Sequence, residues 1–120
     1  MVLVDTGIWI DHLHRSEPRL VELLANARAL VHPLVIGELA CGSLKSRRLL
    51  LTLLAKLPAP PVLTHEEALN LIELRGLHGK GLSFTDVHIL GSALLSGLPL
   101  WTRDRPLRHA ADRLGILWSS

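Results

Sequence analysis

Asp5, Glu38, Asp86 and Asp104 are the residues of this 120-residue chain best suited to chemistry, because all-oxygen ligands favour Mg²⁺ or Mn²⁺ over zinc. Each also has a structural reading. Asp5 follows the apolar run Val2-Leu3-Val4 and is well placed to cap a helical turn after it. Glu38 has Leu34, Val35, Cys41 and Gly42 three and four residues away, so it lacks a basic partner at helix spacing and shares a face with apolar and small residues. Ser83-Phe84-Thr85-Asp86 has the spacing of a capping box, again with no Lys or Arg a turn away. Asp104, in Thr102-Arg103-Asp104-Arg105-Pro106, is an ordinary turn residue flanked by arginines.

Together the four say more. Asp5 and Asp104 follow apolar runs with the character of strands, and Glu38 and Asp86 fall early in helical stretches. In an open α/β sheet that is the rim where ligands bind. Two carboxylates at ~4 Å repel by about 4 kcal/mol at an effective dielectric of about 20. Convergence therefore calls for protonation or for a cation. A cation there would lower the pKa of a bound water and offset negative charge on a substrate. Asp5 and Asp86 are the expected direct ligands, Glu38 binds through water or orients the nucleophile, and Asp104 completes the shell. No Ser or Cys arrangement points to covalent catalysis, and the seven histidines lack zinc-site spacing.

The elements that must position these acids alternate along the chain. Strands are expected at Val2–Val4, Ala29–His32, Val62–Thr64, Leu98–Thr102 and Ile116–Trp118. Helices are expected at Gly7–His14, Glu17–Ala27, from Pro33 to about Gly42, at Ser46–Leu57, His65–His78, Phe84–Ser96 and Pro106–Leu114. Gly97 is the expected stop of the sixth. Strands separated by helices define an α/β fold with a mainly parallel five-stranded sheet.

At this length residues 1–120 fit one domain. The chain is 48% hydrophobic with one Phe and no Tyr, so its core is aliphatic. The lone Cys41, an acid at position 5 and the absence of an apolar run of ~20 residues point to a cytoplasmic protein without a membrane span. The net charge is only +2, but Lys45, Arg47 and Arg48 cluster, as do Arg103, Arg105, Arg108 and Arg113. Such clusters are either solvated helix faces or phosphate contacts. As phosphate contacts the expected set is Arg103, Arg105, Lys45, Arg47 and Arg48. Trp9, Trp101, Trp118 and Phe84 are the only aromatics able to stack on bases, with core packing as the competing use. Leucine-rich helices at 49–57 and 68–77 carry apolar surface for either the core or a partner.

The segments Val2-Leu3-Val4-Asp5-Thr6-Gly7-Ile8-Trp9-Ile10-Asp11, Ile36-Gly37-Glu38-Leu39-Ala40-Cys41-Gly42, Ser83-Phe84-Thr85-Asp86-Val87-His88-Ile89 and Leu100-Trp101-Thr102-Arg103-Asp104 resemble, in order and spacing, the motifs of the PIN-domain family, in particular its VapC-type toxins. The resemblance implies a three-layer fold and a metal-dependent endoribonuclease, the toxin of a type II toxin–antitoxin pair. It also implies Mg²⁺ or Mn²⁺ on Asp5, Glu38, Asp86 and Asp104, with Thr6 and Thr102 as hydroxyls beside the acids. The implied partners are RNA, a cognate antitoxin and a second copy of the chain. Pro106 stands where many relatives have an acid or polar residue, which bears on a second metal site, and Gly7 replaces a small polar residue. A haloacid-dehalogenase phosphatase needs an acid at Gly7, and a receiver domain needs one near Thr64-His65, so neither fits. The remaining alternative is a non-catalytic RNA-binding or scaffold protein on the same fold.

Overall fold

The computed structural model describes residues 1–119. Three strands, β1 (Val2–Val4), β2 (Ala29–Leu30) and β3 (Leu100–Trp101), form a parallel sheet in the order β2-β1-β3. β1 is central and apolar throughout, with Leu3 and Val4 fully buried, as a strand covered on both faces requires. Its register pairs Leu3 with Leu100 and Val4 with Trp101, so the next residues, Asp5 and Thr102, leave the sheet side by side. The Asp5 amide donates to the Trp101 carbonyl at 2.9 Å and holds that register to its end.

Seven helices connect and cover the strands: α1 (Thr6–His14), α2 (Pro18–Ala25), α3 (Pro33–Cys41), α4 (Arg47–Leu54), α5 (His65–Arg75), α6 (Phe84–Ser96) and α7 (Arg105–Arg113). Their ends follow local chemistry. Pro18 and Pro33 open α2 and α3, where a missing N–H costs nothing. Thr64 with Glu67, and Ser83 with Asp86, close reciprocal capping boxes on α5 and α6. Gly97 ends α6 at φ +64°, a conformation that glycine adopts without a Cβ penalty. Among the described residues no helix is long and apolar enough to cross a membrane.

Two expected strands take another form. Ile116–Trp118 contributes one parallel bridge, Leu117 to Leu100, with the Leu100 amide donating to the Ile116 carbonyl and the Trp118 amide to the Leu100 carbonyl. Val62–Thr64 joins no ladder. It is squeezed between Pro60-Pro61 and the Thr64 cap, and its apolar centre, Leu63, packs against Gly91 of α6. The apolar run that suggested a strand instead fills a gap between α5 and α6. Glu38 also lies further along than expected, in the second turn of α3.

Gly91 permits that close approach. A Cβ there would collide with Leu63 Cδ1 and lie 2.9 Å from Leu71 Cδ2. Gly91→Ala is therefore expected to cost stability by about 1 kcal/mol, the overpacking penalty exceeding alanine's helix-propensity gain. The check is a lowered urea midpoint at unchanged m-value; an unchanged or raised midpoint would mean the leucines relax freely.

Candidate active site

The parallel strands β1 and β3 release their chain ends on the same rim, and one hydroxyl joins those ends. Thr102 is fully buried, and its Oγ1 donates to Asp5 Oδ2 at 2.7 Å while accepting from the Asp104 amide at 3.1 Å. Asp5 stands at the N-cap position of α1, yet its side chain makes no cap hydrogen bond and is only 8% exposed. Asp104 does cap α7, Oδ2 accepting from the Leu107 amide at 3.2 Å. Asp86 is half-buried in the first turn of α6, where Oδ2 accepts from the Ser83 amide at 2.9 Å. Glu38 reaches the same place from α3 and is exposed.

All four acids, with Thr6, Gly7 and Arg103, line one open cleft of about 420 Å³. Burial raises the pKa of Asp5, and the charges of Asp86 and Asp104 add to the rise. The Thr102 hydroxyl and the Thr6 backbone offset part of it. Burial also raises Glu38, with Asp5 and Asp86 contributing repulsion. The Thr6 hydroxyl lies near enough to Glu38 to lower it in part but falls short of a hydrogen bond, which leaves a buried Oγ1 without a partner. The cleft is thus a group of acids that destabilise one another's charge, with an unpaired hydroxyl beside them.

Arg103 also lines this cleft, but its guanidinium donates to Asp11 and Glu17, both at 2.6 Å, and lies 5.7 Å from the centre of the Trp101 ring. Neither acid is at helix spacing from Arg103, so nothing local in the sequence announced the pairing. Arg105 is exposed at the start of α7 outside the cleft lining. Lys45, Arg47 and Arg48 lie at the start of α4, also outside it, and Arg47 Nε donates to the Ala40 carbonyl at 2.8 Å. Of the four aromatics, Trp9 and Trp101 are buried, with Trp9 Nε1 donating to the Val4 carbonyl; Phe84 is exposed and Trp118 half-buried.

One contributor was missed by sequence reasoning. His32 is fully buried at the N-cap of α3, where Nδ1 accepts from the Leu34 amide at 3.0 Å. Its proton therefore sits on Nε2, which donates to Ser92 Oγ of α6 at 3.2 Å. Burial, with the nearby His88, pushes its pKa down to about 4, so the ring is neutral. His32 ties together the helices that carry Glu38 and Asp86. The available signal was a histidine just before the Pro33 helix start, with apolar residues on both sides.

Among the described residues no three His, Cys, Asp or Glu side chains stand close enough to enclose an ion. Mg²⁺ does not need such a cage, since it binds through one or two carboxylates and keeps several waters. A cleft of hard oxygen donors whose charges repel one another fits such an ion by donor chemistry.

A parallel α/β sheet with acids gathered at one rim defines a class, and the PIN-domain family model matches residues 2–113: the chain belongs to that family. It is 51% identical over 117 residues, 97% of this chain and 94% of the relative, to Ribonuclease VapC32 of Mycobacterium tuberculosis, in each of two strains. Among solved structures it is similar to PAE2754 from Pyrobaculum aerophilum, with a TM-score of 0.65 over 91% of this chain and 83% of that one; at 21% identity the likeness is one of fold.

Because folding raises the Asp5 pKa above its ordinary 3.8, the folded chain binds more protons than the unfolded one just above that pH, and stability falls as pH rises through the window. Asp5→Asn keeps an acceptor for Thr102 and removes the charge. In EDTA at pH 7 it is expected to melt higher than the unchanged chain, the gain vanishing as pH drops below 3.8. A lower melting temperature at pH 7 would show that the Asp5 charge is not a liability. Thr102→Val leaves both of its partners unpaired and is expected to cost about 1–3 kcal/mol in guanidinium unfolding.

Proposed function

We propose that the chain is a metal-dependent endoribonuclease hydrolysing RNA phosphodiesters, the toxin of a type II toxin–antitoxin pair, with residues 1–120 acting as one nuclease domain. The observation that carries this reading is the cleft itself, four carboxylates at the end of a parallel sheet with Thr102 bracing two of them. Membership of the PIN family and likeness to a protein named a ribonuclease support it.

Asp5, Glu38, Asp86 and Asp104 would hold Mg²⁺ or Mn²⁺. Such an ion supplies positive charge that stabilises the phosphoryl group in the transition state and makes water a better nucleophile. Thr102 fixes the orientation of Asp5, so this carboxylate is aimed before substrate arrives. Glu38, at the open side of the cleft with its pKa raised by partial desolvation and by the charges of Asp5 and Asp86, is the acid best placed to take a proton from an attacking water. Arg103 lines the cleft with its charge engaged by Asp11 and Glu17, so it meets RNA phosphate by exchanging one of those carboxylates. Arg105, Lys45, Arg47 and Arg48 act further out on the backbone.

The leucines exposed on α4 and α5, with Leu49 at 62% and Leu74 at 81%, support a second copy of the chain and an antitoxin as protein partners. Action on RNA beside such an antitoxin places the protein in the cytoplasm.

Purified protein is expected to cut RNA with Mg²⁺ or Mn²⁺ and not with EDTA, and Asp5→Ala is expected to lower the rate at least a hundredfold, the loss typical of removing one preorganised electrostatic group. Absence of cleavage in any RNA pool, with no metal binding by calorimetry, would favour an RNA-binding protein on this fold.

A further inference from the structure

Away from the cleft, a hollow of about 520 Å³ opens beside α2 and the start of β1. Its apolar floor includes Leu23, Pro99 and Trp118, and its rim carries Arg19 and Arg28 against one acid, Glu22. Both arginines are exposed, and among the described residues neither enters a salt bridge or a side-chain hydrogen bond. Arg19 and Arg28, unpaired among the described residues, share the hollow with a half-buried indole, which offers charge for phosphate and a ring face for a base.

This hollow is joined to the cleft by a row of contacts. Arg103 lines the cleft and lies 5.7 Å from the Trp101 ring centre; Trp101 packs on Trp118 with ring centres 4.6 Å apart; Trp118 lines the hollow. The hollow lies where the strands begin and the cleft where they end, and this row of side chains, with Trp101 buried in its middle, spans the sheet between Arg103 and the arginines of the hollow. The expected basic cluster, with Arg47 and Arg48 opening α4 and Lys45 just before it, lines neither cavity.

We propose that this hollow is a second RNA subsite. Single-stranded RNA leaving the cleft passes Arg103, stacks a base against Trp118 and sets its phosphates on Arg19 and Arg28. This rests on the ribonuclease reading and adds to it the class of substrate: a single strand extending beyond the scissile bond, since only unpaired bases can be splayed onto an aromatic ring.

The test is binding without cleavage. A fluorescein-labelled 12-nucleotide oligouridylate and a labelled uridine trinucleotide are titrated with the full chain in EDTA, by anisotropy across a salt series. For the double variant Arg19→Ala/Arg28→Ala, affinity for the 12-mer is expected to fall about tenfold near 0.1 M salt, with the slope of log K against log salt flattening by about 1.4 for two lost phosphate contacts. The trinucleotide, which fills only the cleft, is expected to bind unchanged. Arg19→Lys/Arg28→Lys should keep the slope.

Trp118→Leu should weaken the 12-mer at least about fivefold and Trp118→Phe should restore it, both compared at equal melting temperature. An unchanged 12-mer affinity and slope in the alanine double variant overturns the subsite, as does an equal loss for both lengths. Failure of the ribonuclease reading would show elsewhere, as no metal-dependent cleavage by the unchanged chain, while these binding differences stood or fell on their own.

Discussion

The pairing of β1 with β3 is the constraint on which the site depends. Because Leu3 lies opposite Leu100 and Val4 opposite Trp101, Asp5 and Thr102 leave the sheet as neighbours, 97 residues apart in sequence. A shift of one residue would take the fully buried Leu3 and Leu100 out of the packing sites they fill, so close packing of the strand pair protects the register. Thr102 then converts register into chemistry. Its single hydroxyl donates to one acid and accepts from the backbone of another, which sets their relative position without introducing a competing positive charge.

What that geometry brings together is unfavourable for the isolated chain. Burial and like charge both act against ionised Asp5 and Glu38, and two caps already share their carboxylates with backbone amides. Arg103, the cation nearest at hand, does not relieve this, because Asp11 and Glu17 engage it. The cleft keeps its unneutralised charge. A bound cation would relieve the repulsion that disfavours these acids, and by linkage it would stabilise the folded chain. The destabilisation is confined to the rim, since the aliphatic residues of the sheet beneath are almost entirely buried.

The sequence identified the acids through their lack of partners and their positions after apolar runs. It did so because those signals are local: helix spacing, capping boxes and strand ends all fall within a few residues. The Ser83 box, the Pro33 start and the Gly97 stop were readable for the same reason. What it could not supply was long-range. The Arg103 ion pairs span 92 and 86 residues, and the Thr102–Asp5 bond spans 97. Val62–Thr64 carried strand composition, yet tertiary packing of Leu63 into the space left by Gly91 decided its form. The basic residues show the same limit. Clustering along the chain singled out Lys45, Arg47 and Arg48, whereas Arg19 and Arg28, nine residues apart, meet only because α2 folds back beside the sheet.

His32 explains how helices from distant parts of the chain can present acids to one cleft. Glu38 and Asp86 sit on α3 and α6, and neither side chain can hold the helices together, since bringing two carboxylates closer costs energy. A neutral imidazole buried beneath can do so. It spends one nitrogen on the orphan amide at the start of α3 and the other on Ser92, so the same ring terminates one helix and anchors it to the next. Neutrality is essential to that role. A protonated ring would carry a buried charge, and its Nδ1, turned from acceptor to donor, would face the Leu34 amide. The depressed pKa, about 4, keeps this brace in its accepting form at neutral pH.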